Sequence, residues 1–139
     1  MGLTPGEAEQ LAAIEDAGLT YGGDKISAEA VRRLVHRRLV HYLEGSNWLA
    51  RVREPAPPEA GDVVVYAADL FEEAYRLAPA RYLVLGAERM WSGALGFRVR
   101  RISGPATLQR GSFVESPGTE LRVVRTAAER LALELMGRV

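Results

Sequence analysis

Apolar residues recur at helical spacing in several stretches of the sequence, and each stretch begins with a residue able to cap a helix. Residues 4–18 open with the capping-box sequence Thr-Pro-Gly-Glu and close on Gly18, a common helix-ending residue. Residues 126–137 repeat this arrangement, with Leu131, Ala132 and Leu135 as the expected inner face. An acidic variant of the capping box, Asp-Leu-Phe-Glu at residues 69–72, predicts another helix over residues 69–78.

A further helix is predicted after Ser27, and it is the most basic of the set. Its apolar stripe consists of Val31, Leu34, Val35 and Leu39. Its exposed side consists of Arg32, Arg33, His36 and Arg37. The pattern therefore predicts an amphipathic helix that buries one face and turns a cationic face to solvent.

Strands are predicted mainly in the second half of the sequence. Residues 63–66 and 82–85 are continuous apolar runs, typical of strands buried on both faces of a sheet. Residues 95–102 alternate for most of their length, which is typical of a strand with one solvent-exposed face. Residues 121–124 indicate another strand, and residues 112–115 a weaker one.

An acidic, proline-rich segment divides the sequence. Residues 54–59, Glu-Pro-Ala-Pro-Pro-Glu, cannot form a helix or a central strand and predict a stiff, extended joint. Residues 1–53 then form a helical module with a basic helix and a hairpin, and residues 60–139 form an α/β body. The predicted class is α+β: a helical N-terminal module with a β-hairpin, followed by an α/β body with a mixed sheet of four to five strands.

Composition excludes several classes of protein. The sequence has no Cys, which rules out a disulfide scaffold, a zinc finger and a thiol nucleophile. No apolar run approaches the roughly 18 residues that cross a bilayer. Since no secretory signal opens the sequence either, we expect a cytoplasmic protein without a membrane partner. One Asn and two Gln beside 14 Glu and 17 Arg suit a heat-stable protein from a thermophile.

Charge is balanced overall but arranged in alternating blocks. Residues 1–24 carry five acids and no base, whereas residues 25–53 carry seven bases and two acids. Residues 54–73 carry six acids and no base, and residues 74–110 carry seven Arg and one Glu. The basic blocks could attract a polyanion, or they could pair with acids inside the fold. For the basic helix, the expected acids in the second case are Glu59, Asp62, Glu72 and Glu73.

Residues 27–53 have the order of elements of a recognition helix followed by a wing. The basic helix runs into a strand that ends at Glu44, and a Gly-Ser-Asn turn leads to a second strand beginning at Trp48. This segment resembles the winged helix-turn-helix family, whose apolar positions are occupied here by Val31, Leu34, Leu39 and Val40. It departs from that family at Arg38, where Gly is common, and over residues 19–26, which are short and glycine-rich for the usual second helix.

The resemblance implies a nucleic-acid-binding or regulatory protein. Arg32, Arg33, His36 and Arg37 would then face the major groove and the phosphate backbone, while Arg51 and Arg53 would lie on the wing. No cofactor is implied. A metal site is not predicted either, because His36 and His41 are five residues apart and would not share a helix face.

Two other classes of function stay open. The first is a non-catalytic protein-interaction or dimerisation module, in which the alternating strand over residues 95–102 pairs with its copy to give a homodimer. The second, and the less favoured, is a small enzyme with its site in the loop after the strand ending at Gly86, where Glu88, Arg89, Trp91 and Ser92 follow. No catalytic residue is assigned.

Overall fold

The computed structural model describes residues 2–22, 26–71, 78–104, 113–117 and 120–137. Two short 3-10 segments, Leu43–Gly45 and Ala67–Phe71, accompany the helices and strands. In chain order these are α1 (Pro5–Ala17), β1 (Thr20–Tyr21), α2 (Ala28–His36), β2 (Val40–Tyr42), β3 (Trp48–Arg51), β4 (Val63–Tyr66), β5 (Arg81–Arg89), β6 (Leu95–Ser103), β7 (Phe113–Pro117), β8 (Leu121–Arg125) and α3 (Ala127–Leu135).

The predicted capping signals explain where the helices begin. The Thr4 backbone N–H donates to Glu7 Oε1 at 2.9 Å, and the Glu7 N–H donates to Thr4 Oγ1 at 3.2 Å, which completes the capping box of α1. Gly18 ends α1 with φ of 73°, in the left-handed region that favours glycine. Ser27 and Thr126 cap α2 and α3 through their hydroxyl oxygens. These three predicted helices are confirmed.

Two other helix predictions need correction. Of the helix expected over residues 69–78, the described beginning belongs to the 3-10 segment Ala67–Phe71, and residues 72–77 lie outside the described part of the chain. In α3 the inner face was predicted wrongly. Leu133 is its buried residue, whereas Leu131 and Leu135 are 56% and 80% exposed.

The strands form two antiparallel sheets. A three-stranded sheet has the order β1-β3-β2, and a five-stranded sheet has the order β7-β6-β5-β4-β8. The α+β class is confirmed, but the prediction of a mixed sheet is wrong, since every described pairing is antiparallel. The apolar run of β4 reflects burial on both faces of an antiparallel sheet: Val63 and Val65 face one core cluster, and Val64 and Tyr66 face another.

The self-pairing predicted for residues 95–102 is corrected by the sheet order, whereas the homodimer itself stays a prediction. Strand β6 lies between β5 and β7, so its backbone donors and acceptors are used on both sides. The strand has one buried and one exposed face, as the alternation predicted: Phe97 and Val99 are buried, while Arg98 and Arg100 are exposed. A strand paired on both sides offers no edge to a second copy.

The segments on the two sides of residues 54–59 share a core. Residues 54–59 contain no helix or strand, as predicted. One cluster nevertheless combines Leu43 and Trp48 of the N-terminal part with Val65 and Val124 of the five-stranded sheet. A second cluster packs α1 and α2 onto β2 and β3, and it contains Leu11, Ile14, Ile26, Ala30, Val31, Leu34, Val40 and Leu49.

Two arginines of the five-stranded sheet bind the carboxyl end of α1. Arg81 on β5 donates to the Ala17 carbonyl, and Arg125 on β8 donates to the carbonyls of Glu15 and Asp16. The last carbonyls of a helix lack i+4 donors and lie at the negative end of its dipole, so a cation is stabilising there. Burial lowers the pKa of both guanidiniums, yet arginine starts so high that both stay charged. We call this pair the arginine clamp.

Loss of the clamp should destabilise the whole fold. Replacing Arg125 by Met keeps much of the apolar stem but removes its charged hydrogen bonds, which should lower the free energy of unfolding by about 2 kcal/mol. Arg100→Met is the matched control, because Arg100 is exposed and has no ion-pair partner in the described ranges. Urea denaturation measures both variants. Equal stabilities for the two would contradict a role for the clamp.

Candidate nucleic-acid interface

Helix α2 is fixed by its apolar side. Val31 and Leu34 are buried against α1 and the three-stranded sheet, as the predicted stripe requires. Val35 lies at the margin with 36% exposure, and Leu39 packs half-buried against the cluster after the helix has ended. The opposite side of α2 therefore faces solvent on a helix held by a rigid core.

The end of α2 explains the departure from the winged helix-turn-helix pattern. The Arg38 N–H donates to the Val35 carbonyl and the Leu39 N–H donates to the Leu34 carbonyl, each at 3.0 Å. These two bonds form a Schellman motif, in which the residue at Arg38 adopts a left-handed conformation and is usually Gly. Arg38 has φ of 58°. The chain thus keeps the glycine geometry at this position while carrying an arginine.

Four basic side chains form an exposed surface at α2. Arg32, Arg33 and His36, which were predicted, are all exposed, and so is Arg38, which was not. Arg33 contacts Glu29 at 3.5 Å, with the two side chains 50% and 76% exposed. Such an exposed pair contributes little and can be exchanged for another anion. We call Arg32, Arg33, His36 and Arg38 the α2 cationic face.

Arg37 lies apart from the α2 cationic face. It donates to the Glu7 carboxylate on α1 and, at 3.3 Å, to the Gly2 carbonyl. Glu7 is only 1% exposed. The backbone N–H of Thr4 lowers the pKa of Glu7, burial opposes this, and Arg37 lowers it further, so the carboxylate is ionised at neutral pH. Arg37 is therefore a link between α2 and α1.

The two arginines predicted to lie on the wing also contact the fold. Arg51 donates to the carboxylate of Glu15 on α1, and Arg53 donates to the carboxylate of Glu129 on α3. Arg53 also donates to the Val124 carbonyl at 3.2 Å. Arg51 is the last residue of β3 and Arg53 follows it, both at the end away from the hairpin turn, so the tip of the hairpin is not basic.

Asp62, one of the acids that could have paired with the basic helix, accepts hydrogen bonds from backbone N–H groups instead. Asp62 accepts from the Glu59 N–H at 2.8 Å and from the Ala127 N–H at 2.9 Å, and it thereby helps to start α3. Neither Glu59 nor Asp62 pairs with an arginine among the described residues, and Glu72 and Glu73 lie outside them. Arg37, Arg51 and Arg53 pair instead with acids of α1 and α3.

The loop considered for an enzyme site is placed differently by the structure. Strand β5 continues to Arg89, so Gly86 and Glu88 lie within the strand and the turn begins at Met90. Trp91 is 97% exposed at this hairpin tip, and Ser92 is exposed beside it. The predicted loop after Gly86 is therefore wrong, because the apolar run marks only the first part of a longer strand.

No known protein family matches this sequence, and no significant match was found among curated proteins or solved structures. Among the described residues, no helix is both long and apolar enough to cross a bilayer. Function can therefore be inferred only from the chain's own residues.

The left-handed backbone conformation of Arg38 can be tested by substitution with glycine. Arg38→Gly should raise the free energy of unfolding by about 1 kcal/mol, because a left-handed backbone costs a non-glycine residue about 1–2 kcal/mol. Arg32→Gly is the matched control, and it should lower stability by about 1 kcal/mol because Arg32 is inside the helix. Thermal or urea denaturation measures both. Equal destabilisation by the two substitutions would contradict the assigned geometry.

Proposed function

We propose that this protein binds nucleic acid through the α2 cationic face, as a DNA-binding or regulatory protein related in layout to winged helix-turn-helix proteins. The observation that carries the proposal is the division of the basic residues of α2 and β3. Arg37, Arg51 and Arg53 bind carboxylates of the fold, whereas Arg32 and Arg38 have no ion-pair partner in the described ranges. This role agrees with the cytoplasmic location expected from the sequence.

The geometry of Arg32, Arg33 and His36 suits a groove-binding helix. On an α-helix these three positions fall within about 100° of one another, so they form a single face. A helix of roughly 10–12 Å diameter enters a major groove about 12 Å wide. Guanidinium groups on such a face bind phosphate oxygens and the acceptor edge of guanine.

The conformation of Arg38 gives independent support. An arginine at a left-handed position is less stable than a glycine, so its presence is better explained by a role of the side chain than by folding. Arg38 follows directly after the helix, where it can reach a phosphate next to the groove. Arg38→Gly should accordingly weaken binding while it stabilises the fold.

Salt dependence of binding tests the proposal. Arg32→Ala combined with Arg33→Ala should weaken binding to duplex DNA and reduce the slope of log affinity against log salt by about 1.8, since each phosphate contact contributes about 0.9. Both positions are exposed, so the helix should stay folded. Fluorescence anisotropy with duplex and single-stranded probes between roughly 50 and 200 mM salt measures this.

The matched control for this experiment is Arg89→Ala combined with Arg100→Ala, which removes the same charge from exposed positions of the five-stranded sheet. This control should retain most of the affinity and most of the slope. Absence of binding by either probe at roughly 50 mM salt would refute the proposal. An equal loss in the control would move the interface to residues 74–110.

A second candidate function, a protein-interaction or dimerisation module, is favoured by α3. Leu131, Leu135 and Met136 are 56%, 80% and 63% exposed, and they form an apolar patch on the outside of the helix. If this patch joins two copies, sedimentation at tens of micromolar should show a dimer that Leu135→Glu converts to a monomer. Monomeric wild-type protein under these conditions would remove the homodimer.

A further inference from the structure

An apolar groove of about 810 Å³ lies between the proline-rich joint and the five-stranded sheet. Residues 54–58 form one wall, and Phe97, Leu121 and Val123 of the sheet form another. Leu43 and Leu95 extend the apolar lining. This volume is within the range of roughly 300–1,000 Å³ that is typical of small-molecule sites.

The polar groups of the groove are predominantly basic. Arg53, Arg122 and His41 line it, against the single carboxylate of Glu54. Arg122 donates to Glu44 and Arg53 to Glu129, but neither of these carboxylates lines the groove. The Nε–H of Arg53 is buried and has no hydrogen-bond acceptor in the part of the chain that the structure describes. Rotation of the Arg53 side chain toward the groove would bring this donor to an acceptor oxygen of a ligand.

His41 provides an internal reporter of charge in the groove. Burial lowers its pKa, the positive charge of Arg53 lowers it further, and Glu44 acts in the opposite direction. The imidazole is therefore neutral at neutral pH in the unliganded protein. The chain has only one other histidine, His36, which is exposed on α2 and does not line the groove.

We propose that this groove binds a small amphipathic carboxylate. The acyl or aryl body of the ligand packs against Phe97, Leu121 and Val123, and its carboxylate lies toward Arg53 and Arg122. A carboxylate fits this lining because it supplies an acceptor for the Arg53 Nε–H and can share the two guanidinium groups with the carboxylates of Glu44 and Glu129. This site is separate from the α2 cationic face, and the proposal does not depend on nucleic-acid binding.

Decanoate and decanol, which share a similar alkyl chain, are suitable probes below their aggregation limits. Decanoate should bind saturably and raise the pKa of His41 by roughly one unit, because an opposite charge within a few ångströms favours the protonated imidazole. Decanol should bind at least tenfold more weakly and leave that pKa unchanged or lower. NMR titration of both imidazoles measures these changes, with His36 as the internal control.

Substitution at Leu95, which is 45% exposed, separates charge from shape. Leu95→Glu should weaken decanoate binding more than tenfold through repulsion, whereas the uncharged Leu95→Gln should weaken it only slightly. Arg122→Gln should also weaken decanoate but leave decanol unaffected. The proposal is overturned if decanoate shows no saturable binding in the millimolar range. It is equally overturned if decanol binds as tightly, or if Leu95→Glu and Leu95→Gln have the same effect.

Discussion

The carboxyl end of α1 is the point on which the arrangement of this protein depends. Arg81 and Arg125 reach from two strands of the five-stranded sheet to the last carbonyls of that helix. The side chains of the same helix hold the N-terminal part together, since Glu7 binds Arg37 of α2 and Glu15 binds Arg51 of β3. Helix α1 therefore connects α2, the three-stranded sheet and the five-stranded sheet through charged contacts.

This role of α1 explains why a chain of zero formal net charge has alternating blocks of charge. An arginine cannot lose its proton in a protein, so each one that becomes partly buried needs a carboxylate or a carbonyl as a partner. The acids of residues 1–24 and the carbonyls of α1 satisfy much of this need. Arg32 and Arg38 lie outside these contacts, and we propose that they are available to nucleic acid, a polyanion that suits such a surface.

Local signals in the sequence predicted the helix caps, the amphipathic character of α2 and seven of the eight described strands. They could not determine whether the strands run parallel or antiparallel, because a strand buried on both faces, such as β4, has the same apolar pattern in either kind of sheet. The two-residue strand β1 is too short to have a pattern of its own. The inner face of α3 was missed because helical spacing alone does not show which apolar side chain meets the core, and Leu133 is the one that is buried.

The candidate site was predictable to the extent that it depends on helix periodicity. The exposure of Arg32, Arg33 and His36 follows from their position opposite the apolar stripe. The ion pair of Arg37 depends on Glu7, which lies thirty residues earlier in the sequence. Arg38 could have been recognised from the sequence, because it stands where the resembling family commonly has a glycine. The groove could not have been predicted, since the joint, the hairpin and two strands of the five-stranded sheet contribute to its lining.

We propose that the arginines of this protein divide into a set that holds the fold together and a set that contacts nucleic acid. NMR observation of the arginine Nε–H signals during titration with duplex DNA tests this division most directly. We expect that the signals of Arg32, Arg33 and Arg38 shift and that those of Arg37, Arg53, Arg81 and Arg125 stay in place. Shifts confined to the second set, or to arginines of the five-stranded sheet, would contradict it.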